Sequence, residues 1–136
     1  MRYTFTMPTD PRNELFYWVD EKDNELGSIP RYIAHADKNI IHRAVGIIIL
    51  NDRDEMLMQR RSKNKDMDPG VWSYGVGGHV TYGQSYLDAA VREIKEEMGI
   101  KNNRLKELSK LLIKMDNETE YNTLFEVVIP SSTKII

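Results

Sequence analysis

The sequence predicts an α+β domain, and three observations support this class. Several β-rich segments alternate with short polar turns, and one long segment has strong helical periodicity. The chain has 136 residues, the size of one ordinary domain. We therefore expect a single domain over 1–136, with an irregular N-terminal arm at 1–14.

The composition argues against several functional classes. The net charge of −2 is unlike that of a basic nucleic-acid surface, so no nucleic-acid polymer is expected as a partner. The absence of cysteine excludes disulfides, thiolate metal sites and cysteine nucleophiles. The longest apolar run, 45–50, is too short to cross a membrane, and the first residues lack the apolar core of a signal peptide. These features predict a soluble, cytoplasmic protein with no membrane partner.

The first half of the chain predicts mainly strands. Residues 15–20 are aromatic and form a short strand, and 28–33 form a second extended segment. Residues 42–52 are β-rich and are predicted to form a hairpin with 56–61. Residues 71–80 have strand character that three glycines loosen.

The spacing predicts a helix over 85–98. Ser85 is a suitable N-cap residue, and Asp88 follows three positions later, as in a capping box. Gly99 can adopt the left-handed conformation that ends the helix. The helix is therefore bounded by local signals at both ends.

After the helix, 108–115 and 121–129 predict a second hairpin. A sheet that ends in this way usually has a further element packed on its open face. We therefore expect that a C-terminal helix belongs to the fold and is absent from 1–136.

The helix is predicted to bury an apolar stripe and to expose a carboxylate cluster. The stripe consists of Leu87, Val91, Ile94 and Met98. The carboxylates on the opposite side are Glu93, Glu96 and Glu97. Like charges four residues apart repel, and the helix dipole disfavours anions in the last turn. A divalent cation would reverse this cost, and Mg²⁺ prefers oxygen ligands; a solvated charged face is the alternative.

A longer spacing pattern contains this cluster. It consists of Gly78, five residues, Gln84, seven residues, and then Arg92, Glu93, Ile94, Glu96, Glu97, Gly99 and Ile100. The pattern resembles the Nudix box, except that Gln84 stands where that family has glutamate. The resemblance implies a mixed β-sheet in an α/β/α sandwich. It also implies hydrolysis of a small-molecule diphosphate, a nucleoside diphosphate linked to another moiety, by a Mg²⁺- or Mn²⁺-activated water. Homodimers are common in that family.

The resemblance to the Nudix box also implies residue roles. The implied metal-binding groups are Glu93, Glu96, Glu97 and the backbone carbonyl of Gly77 or Gly78. Glu93 would bind metal or activate water, and Arg92 would orient Glu93 through a charge-assisted hydrogen bond. Gln84 can form hydrogen bonds at the catalytic position but can neither carry charge nor act as a base.

A second resemblance concerns 42–80, which is similar to type I isopentenyl diphosphate isomerases, Nudix-fold enzymes that move a double bond. It implies a second metal site, suited to Mn²⁺, Zn²⁺ or Fe²⁺, at His35, His42, His79, Glu118 and Glu120. Those isomerases need a cysteine where this chain has Gly77, so the sequence favours hydrolysis. An isomerase-like enzyme and a non-catalytic diphosphate-binding domain stay open as alternatives.

Two further groups have alternative interpretations. Arg60 and Arg61 follow the first predicted hairpin and are candidates for binding the substrate phosphates, although such residues also occur in solvated loops. Trp72 and Tyr74 alternate along a predicted strand. We expect them to pack in the core, and stacking on a base is the alternative.

Overall fold

The computed structural model describes residues 13–60, 63, 70–102 and 104–136. All but two residues of the predicted arm at 1–14 lie outside this part of the chain. The described residues form strands and two helices, as the α+β prediction requires. The elements are β1 (Leu15–Val19), β2 (Glu25–Pro30), α1 (Arg31–Ala34), β3 (Ile41–Asn51), β4 (Met58–Arg60), β5 (Trp72–Tyr74), β6 (Val76–His79), α2 (Tyr86–Met98), β7 (Lys106–Lys114) and β8 (Thr119–Ile129).

A mixed sheet is organised around β3. The strand order is β2-β1-β3-β8-β7, and β6 also pairs with β3. Strands β3 and β8 run parallel along their whole length, from Ile41 opposite Thr119 to Asn51 opposite Ile129. The other edge of β3 is shared, because β1 pairs near its start and β6 pairs further along. This topology brings residues from distant parts of the sequence side by side.

Helix α2 packs on one face of the sheet, and a smaller cluster lies on the other face. Side chains alternate between the faces of a strand, so Val45, Ile47 and Ile49 point to the same side, where they form the core with α2. The even-numbered positions of β3, including His42 and Gly46, therefore face away from α2. A smaller cluster around Phe16 lies beside the histidine on this second face.

Helix α2 has the predicted caps. The Ser85 hydroxyl accepts a hydrogen bond from the Asp88 amide at 3.0 Å, and the Asp88 carboxylate accepts one from the Ser85 amide at 3.1 Å. Gly99 ends the helix with a left-handed φ of 71°. The boundaries of this helix follow from local interactions, which is why the sequence predicted them.

The predicted apolar stripe of α2 is wrong in part. Leu87 is 42% exposed, and Val91 is only half-buried. Two alanines let the helix backbone approach the sheet, which rotates the buried face relative to the prediction. Glu93, predicted on the opposite side, consequently lies on the buried face. The buried residues of the helix are Ala89, Ala90, Glu93, Ile94 and Met98.

Two other predictions need correction. The extended segment predicted at 28–33 is divided, because β2 ends at Pro30 and α1 begins with the next residue. The hairpin predicted between 42–52 and 56–61 is limited to a bridge between Leu50 and Met56.

Strand β4 then leaves the main sheet and pairs with β5. Gly75 separates β5 from β6 with a φ of 46°, and a Cβ there would overlap the backbone of Ile47. The glycine therefore permits the close crossing that divides the segment predicted at 71–80.

The second hairpin, β7 and β8, confirms the prediction for 108–115 and 121–129. Among the helices in the described part of the chain, none is both long and apolar enough to cross a membrane.

Candidate functional site

The acidic end of α2 contains one buried and two exposed carboxylates. Glu93 is only 8% exposed, because its side chain points at β6 and occupies the space beside Gly78. A Cβ on Gly78 would overlap the Glu93 carboxyl group. Glu96 and Glu97 lie on the exposed side of the last turn. The carboxylate cluster is therefore divided between the protein interior and solvent.

Burial raises the pKa of Glu93 above its ordinary value. The Arg92 guanidinium opposes this effect, whereas the negative charges of Glu96 and Glu97 add to it. A carboxylate with a raised pKa is a stronger base than an ordinary glutamate, so Glu93 is suited to accept a proton.

Arg92 connects the acidic cluster to two neighbouring segments. Its Nη1 donates to Glu93 Oε1 at 3.0 Å and lies 3.5 Å from Glu96 Oε2. Its Nη2 donates to the backbone carbonyl of His79 at 2.9 Å and to Gln84 Oε1 at 3.3 Å. The guanidinium therefore fixes the Glu93 carboxylate relative to β6 and the loop before α2. The Gln84 amide oxygen takes part as an acceptor, a contact that needs no negative charge.

The donors at this end of the helix fit a hard divalent cation. Three carboxylates, with the carbonyls of Gly77 and Gly78 on the adjoining strand, supply only oxygen ligands. Mg²⁺ and Mn²⁺ prefer such ligands. The structure brings Glu93 and Gly78 into direct proximity, and Glu96 and Glu97 follow within one helical turn.

A second cluster lies on the sheet face that α2 does not cover. Ligand atoms of His35, His42, His79 and Glu118 all lie within 4.8 Å of one another. His35 follows α1, and the other three lie on β3, on β6 and just before β8. Glu120, the fifth predicted residue, has its Oε2 atom 3.8 Å from His42 Nε2. The fold thus gathers residues that are far apart in sequence.

The histidine rings pack against Phe16, and three of their nitrogens have no hydrogen-bond partner among the described residues. Phe16 stacks on His79 and His42, with ring centroids 4.7 and 5.3 Å apart, and meets His35 edge-on at 5.6 Å. The three nitrogens are both ring nitrogens of His42 and the Nε2 of His35, which are buried and have no hydrogen bond within the part of the chain that the structure describes. His35 Nε2 approaches Glu118 Oε2 to 3.2 Å without hydrogen-bond geometry. Because buried polar atoms normally have partners, these nitrogens and the carboxylate fit a metal with mixed nitrogen and oxygen ligands.

Burial keeps these imidazoles neutral at physiological pH. It lowers the pKa of His42 to about 4 and that of His79 to about 3. Burial also lowers the pKa of His35, although the Glu118 carboxylate opposes the shift. Neutral imidazole is the form that binds metals, so the cluster is ready to ligate one at neutral pH.

The contacts of the predicted phosphate-binding residues are known only for Arg60. Arg60 Nε donates to the Gly70 carbonyl at 3.0 Å, and its guanidinium lies 5.8 Å from the ring centre of Trp72. Arg61 lies outside the described residues. The expected core packing of Trp72 and Tyr74 is wrong, because the two residues are 59% and 47% exposed. Both belong to the two-stranded β4–β5 sheet, which is not part of the main sheet.

Two residues beside the histidine cluster, Phe16 and Asn122, were not predicted from the sequence. Phe16 forms one wall of the histidine cluster. The Asn122 side-chain amide donates to Glu120 Oε1 at 3.0 Å. Asn122 could have been found from its position two residues after Glu120, since alternate residues of a strand share a face. The position of Phe16 depends on pairing between distant strands, which leaves no local signal.

Comparison with protein families identifies the fold. The family model described as NUDIX domain matches residues 40–133, more than half of the chain. The chain belongs to the Nudix family. This finding confirms the membership and the α+β Nudix fold that the sequence predicted.

Curated relatives within the Nudix family carry two kinds of name. An uncharacterized Nudix hydrolase from Pseudomonas aeruginosa is 42% identical over 94 residues, which cover 69% of this chain and 55% of that protein. Isopentenyl-diphosphate Delta-isomerase 1 from Photorhabdus laumondii is 34% identical over 103 residues, which cover 76% of this chain and 57% of that protein. The chain thus spans little more than half the length of these relatives.

A solved structure shares the fold of this chain. A crystal structure of a Deinococcus radiodurans protein matches with a TM-score of 0.73 at 24% sequence identity. The match covers 90% of this chain and 75% of that one. At this level of identity, the likeness concerns the fold alone.

Proposed function

We propose that the protein is a divalent-metal-dependent hydrolase that cleaves a diphosphate bond in a nucleoside diphosphate linked to another moiety. The observation that carries this proposal is the position of Glu93, which lies beside Gly78 and accepts a hydrogen bond from Arg92. A buried carboxylate held in one orientation, beside two exposed carboxylates, is suited to a metal-assisted reaction. Membership of the Nudix family supports a diphosphate as the substrate.

Each residue has a role that follows from its contacts. Bound Mg²⁺ or Mn²⁺ would neutralise the diphosphate oxygens and lower the pKa of a water molecule. Glu96 and Glu97, with the carbonyl of Gly77 or Gly78, would supply oxygen ligands. Burial raises the pKa of Glu93, which would hold the metal or accept the proton of the attacking water. Arg92 orients Glu93, and Gln84 contacts Arg92 as a hydrogen-bond acceptor.

Cleavage of a panel of nucleoside, sugar, cofactor and prenyl diphosphates, measured as formation of the monophosphate products, tests this proposal. Wild type and Glu97→Gln should be compared with Mg²⁺ and with Mn²⁺. We expect the substitution to lower kcat/KM by about 100-fold or more, because it removes a charged ligand without changing the size of the side chain. The matched control is Glu107→Gln, which removes an exposed carboxylate from β7 and should leave turnover unchanged. Equal turnover by Glu97→Gln and wild type would contradict the assignment of Glu97 as a metal ligand of the proposed hydrolase.

The histidine cluster favours a second candidate, an isomerase acting on prenyl diphosphates. His35, His42, His79 and Glu118 lie together as the resemblance to the isomerases implies, and several relatives carry that name. The chain has no cysteine, however, and Gly77 stands at the position of the isomerase cysteine. Double-bond migration needs a group that protonates carbon, so the missing thiol favours hydrolysis.

Incubation with isopentenyl diphosphate in the presence of Mg²⁺ and Mn²⁺ separates the two candidates. Hydrolysis releases phosphate and leaves the double bond in place. Formation of dimethylallyl diphosphate would support the isomerase. Tight binding of diphosphates with neither product would instead support a binding domain without catalysis.

A further inference from the structure

A cavity of about 420 Å³ opens on the sheet face opposite α2. Gly46 on β3 and its paired residue Gly77 on β6 form part of its floor. Tyr74, which precedes β6, forms one side, and Asn122 on β8 forms another. The volume is typical of sites that bind small molecules.

Two polar groups face the space above Gly46. A Cβ at Gly46 would lie 3.2 Å from the Tyr74 hydroxyl and 3.6 Å from Asn122 Oδ1. Glycine at this position therefore keeps open the space between the two oxygens. Among the residues that the structure describes, the Asn122 side chain donates from Nδ2 to Glu120, so its Oδ1 is left to accept a hydrogen bond from a molecule in the cavity.

The orientation of the Asn122 amide is fixed by its neighbour. Its Nδ2 donates to Glu120 Oε1 at 3.0 Å, and a carboxylate can only accept. The carbonyl end of the amide consequently points towards Gly46. Asn122 thus presents an acceptor to the cavity, and its preferred partner is an N–H or O–H donor.

Part of the remaining surface suits a flat, apolar ring, and His79 and Glu120 of the histidine cluster also line the cavity. The Tyr74 ring is 47% exposed, and Ile113 and Met115 line the same cavity. Aromatic side chains stack on any nucleobase, so stacking alone does not distinguish one base from another. The acceptor on Asn122 does distinguish them, because some bases carry an amino group where others carry a carbonyl.

We infer that this cavity binds the nucleobase of the substrate and that Asn122 selects bases with an exocyclic amino group. The inference rests on the proposed function, since the cavity borders Gly77 and Gly78, whose carbonyls are the candidate metal ligands. A diphosphate bound there would leave its nucleoside within reach of Tyr74 and Asn122. Cytosine is therefore preferred to uracil. The amino group of cytosine can donate to Asn122 Oδ1, whereas the carbonyl of uracil at the same position would place two acceptors against each other.

The test uses CDP-glucose and UDP-glucose, which differ only in the base. For wild type we expect kcat/KM to be about 2- to 10-fold higher with the cytidine compound, mainly through KM. Asn122→Leu should bring the ratio close to one, and its thermal unfolding transition, compared with that of wild type, shows whether the variant is folded. A wild-type preference for uridine, or a ratio unchanged by Asn122→Leu, would overturn the inference.

A binding measurement separates this inference from the proposed reaction. Calorimetric titration of Glu97→Gln with CDP and with UDP needs no turnover. A cytidine preference that Asn122→Leu removes in this background supports the nucleobase site even if no diphosphate is hydrolysed. Equal affinities overturn it even if hydrolysis is observed.

Two substitutions of Tyr74 examine the stacking surface. Tyr74→Ala should raise KM for both compounds by a similar factor, because it removes the ring that either base would contact. Tyr74→Phe keeps the ring and should keep most of the affinity. An unchanged KM in Tyr74→Ala contradicts the placement of the base beside this side chain.

Discussion

The two candidate metal centres lie on opposite faces of one sheet and differ in how their ligands are held. The acidic cluster comes from a single helix, and its exposed members, Glu96 and Glu97, repel each other and Glu93 when no cation is bound. The histidine cluster comes from four separate segments of the chain. Burial keeps its imidazoles neutral, so those rings do not repel one another.

This difference indicates distinct consequences of metal binding. A cation at the acidic cluster contacts one helix and the adjoining glycines, so it changes local charge more than the stability of the whole fold. A cation at the histidine cluster joins the segment after α1 to β3, β6 and the residues before β8. Binding there stabilises the folded chain as a unit, because the unfolded chain does not present the ligands together. Function should depend chiefly on the first cluster and stability chiefly on the second.

The largest expected effect follows from Gly78→Ala. The φ of Gly78 lies outside the left-handed region, so overlap of the new Cβ with the Glu93 carboxyl group is the main obstacle. Displacement of that carboxylate should lower kcat/KM for the proposed reaction by about 100-fold, since small misplacements of catalytic groups have effects of this size. Steady-state kinetics with the best substrate of the diphosphate panel would measure it.

A double substitution checks the cause of this effect. In a Glu93→Ala background, Gly78→Ala meets no carboxylate and should change the melting temperature little. In wild type it should lower the melting temperature clearly. Wild-type activity in Gly78→Ala would show that the position of Glu93 does not govern the reaction.

The next effect concerns metal binding at the histidine cluster. At a Zn²⁺ concentration 100-fold above Kd, the free energy of unfolding should rise by about 2.7 kcal/mol, and the melting temperature by roughly 10 °C. Scanning calorimetry of chelator-treated protein with and without Zn²⁺ measures this shift. His35→Gln should remove most of it, and the partly exposed position of His35 makes the substitution easy to accommodate. Glu97→Gln should retain the shift, so an equal loss in both variants would contradict the division between the clusters.

The pH dependence of metal-free protein provides a smaller effect. The pKa values of His42 and His79 in the folded chain, about 4 and about 3, lie below the ordinary value of 6.5. As the pH falls below 6.5, the unfolded chain binds protons that the folded chain does not, so the free energy of unfolding decreases. The free energy of unfolding continues to decrease towards pH 4. Each histidine contributes at most about 1.4 kcal/mol per pH unit to this decrease.

Urea unfolding in the presence of a chelator would measure this slope. His42→Gln replaces one titrating ring with an amide, so its slope below pH 6.5 should be shallower than that of wild type. Both proteins contain the same carboxylates, so the difference between the two slopes reports on the histidine. Identical slopes would contradict the assignment of a depressed pKa to His42.

The sequence predicted the acidic helix well because its signals are local. Ser85, Asp88 and Gly99 act on residues within one turn, so their spacing alone set the helix ends. The rotation of the helix was not predictable in the same way. It depends on how closely Ala89 and Ala90 approach the sheet, and this tertiary contact placed Glu93 inside.

The histidine cluster, unlike the helix, has no local signal in the sequence. A family resemblance suggested its members, but their proximity depends on the parallel pairing that sets His42 opposite Glu120. No local pattern encodes that pairing. The exposure of Trp72 has a similar origin, because β4 pairs with β5 and leaves the main sheet. Long-range strand pairing, more than local propensity, therefore limited what the sequence could show.

The smallest expected effect has the opposite sign and arises from Glu97→Gln in metal-free protein. Glu97 lies in the last turn of α2, where the helix dipole disfavours anions, and four residues after Glu93. Arg92 pairs with Glu93 and Glu96, and among the described residues no ion pair involves Glu97. Glutamine has a similar helix propensity, so the substitution should raise the free energy of unfolding by about 0.3–1 kcal/mol.

Urea unfolding with a chelator, at low and at high salt, measures this change, which should shrink as salt screens the charges. Glu107→Gln, on an exposed strand position, should alter stability little by comparison. A substitution that abolishes hydrolysis while stabilising the metal-free fold is the result expected if the Glu97 carboxylate serves the reaction, as a ligand of a bound cation does, and does not serve the fold. Destabilisation by Glu97→Gln would instead assign Glu97 to the fold and weaken the case for a metal at this end of the helix.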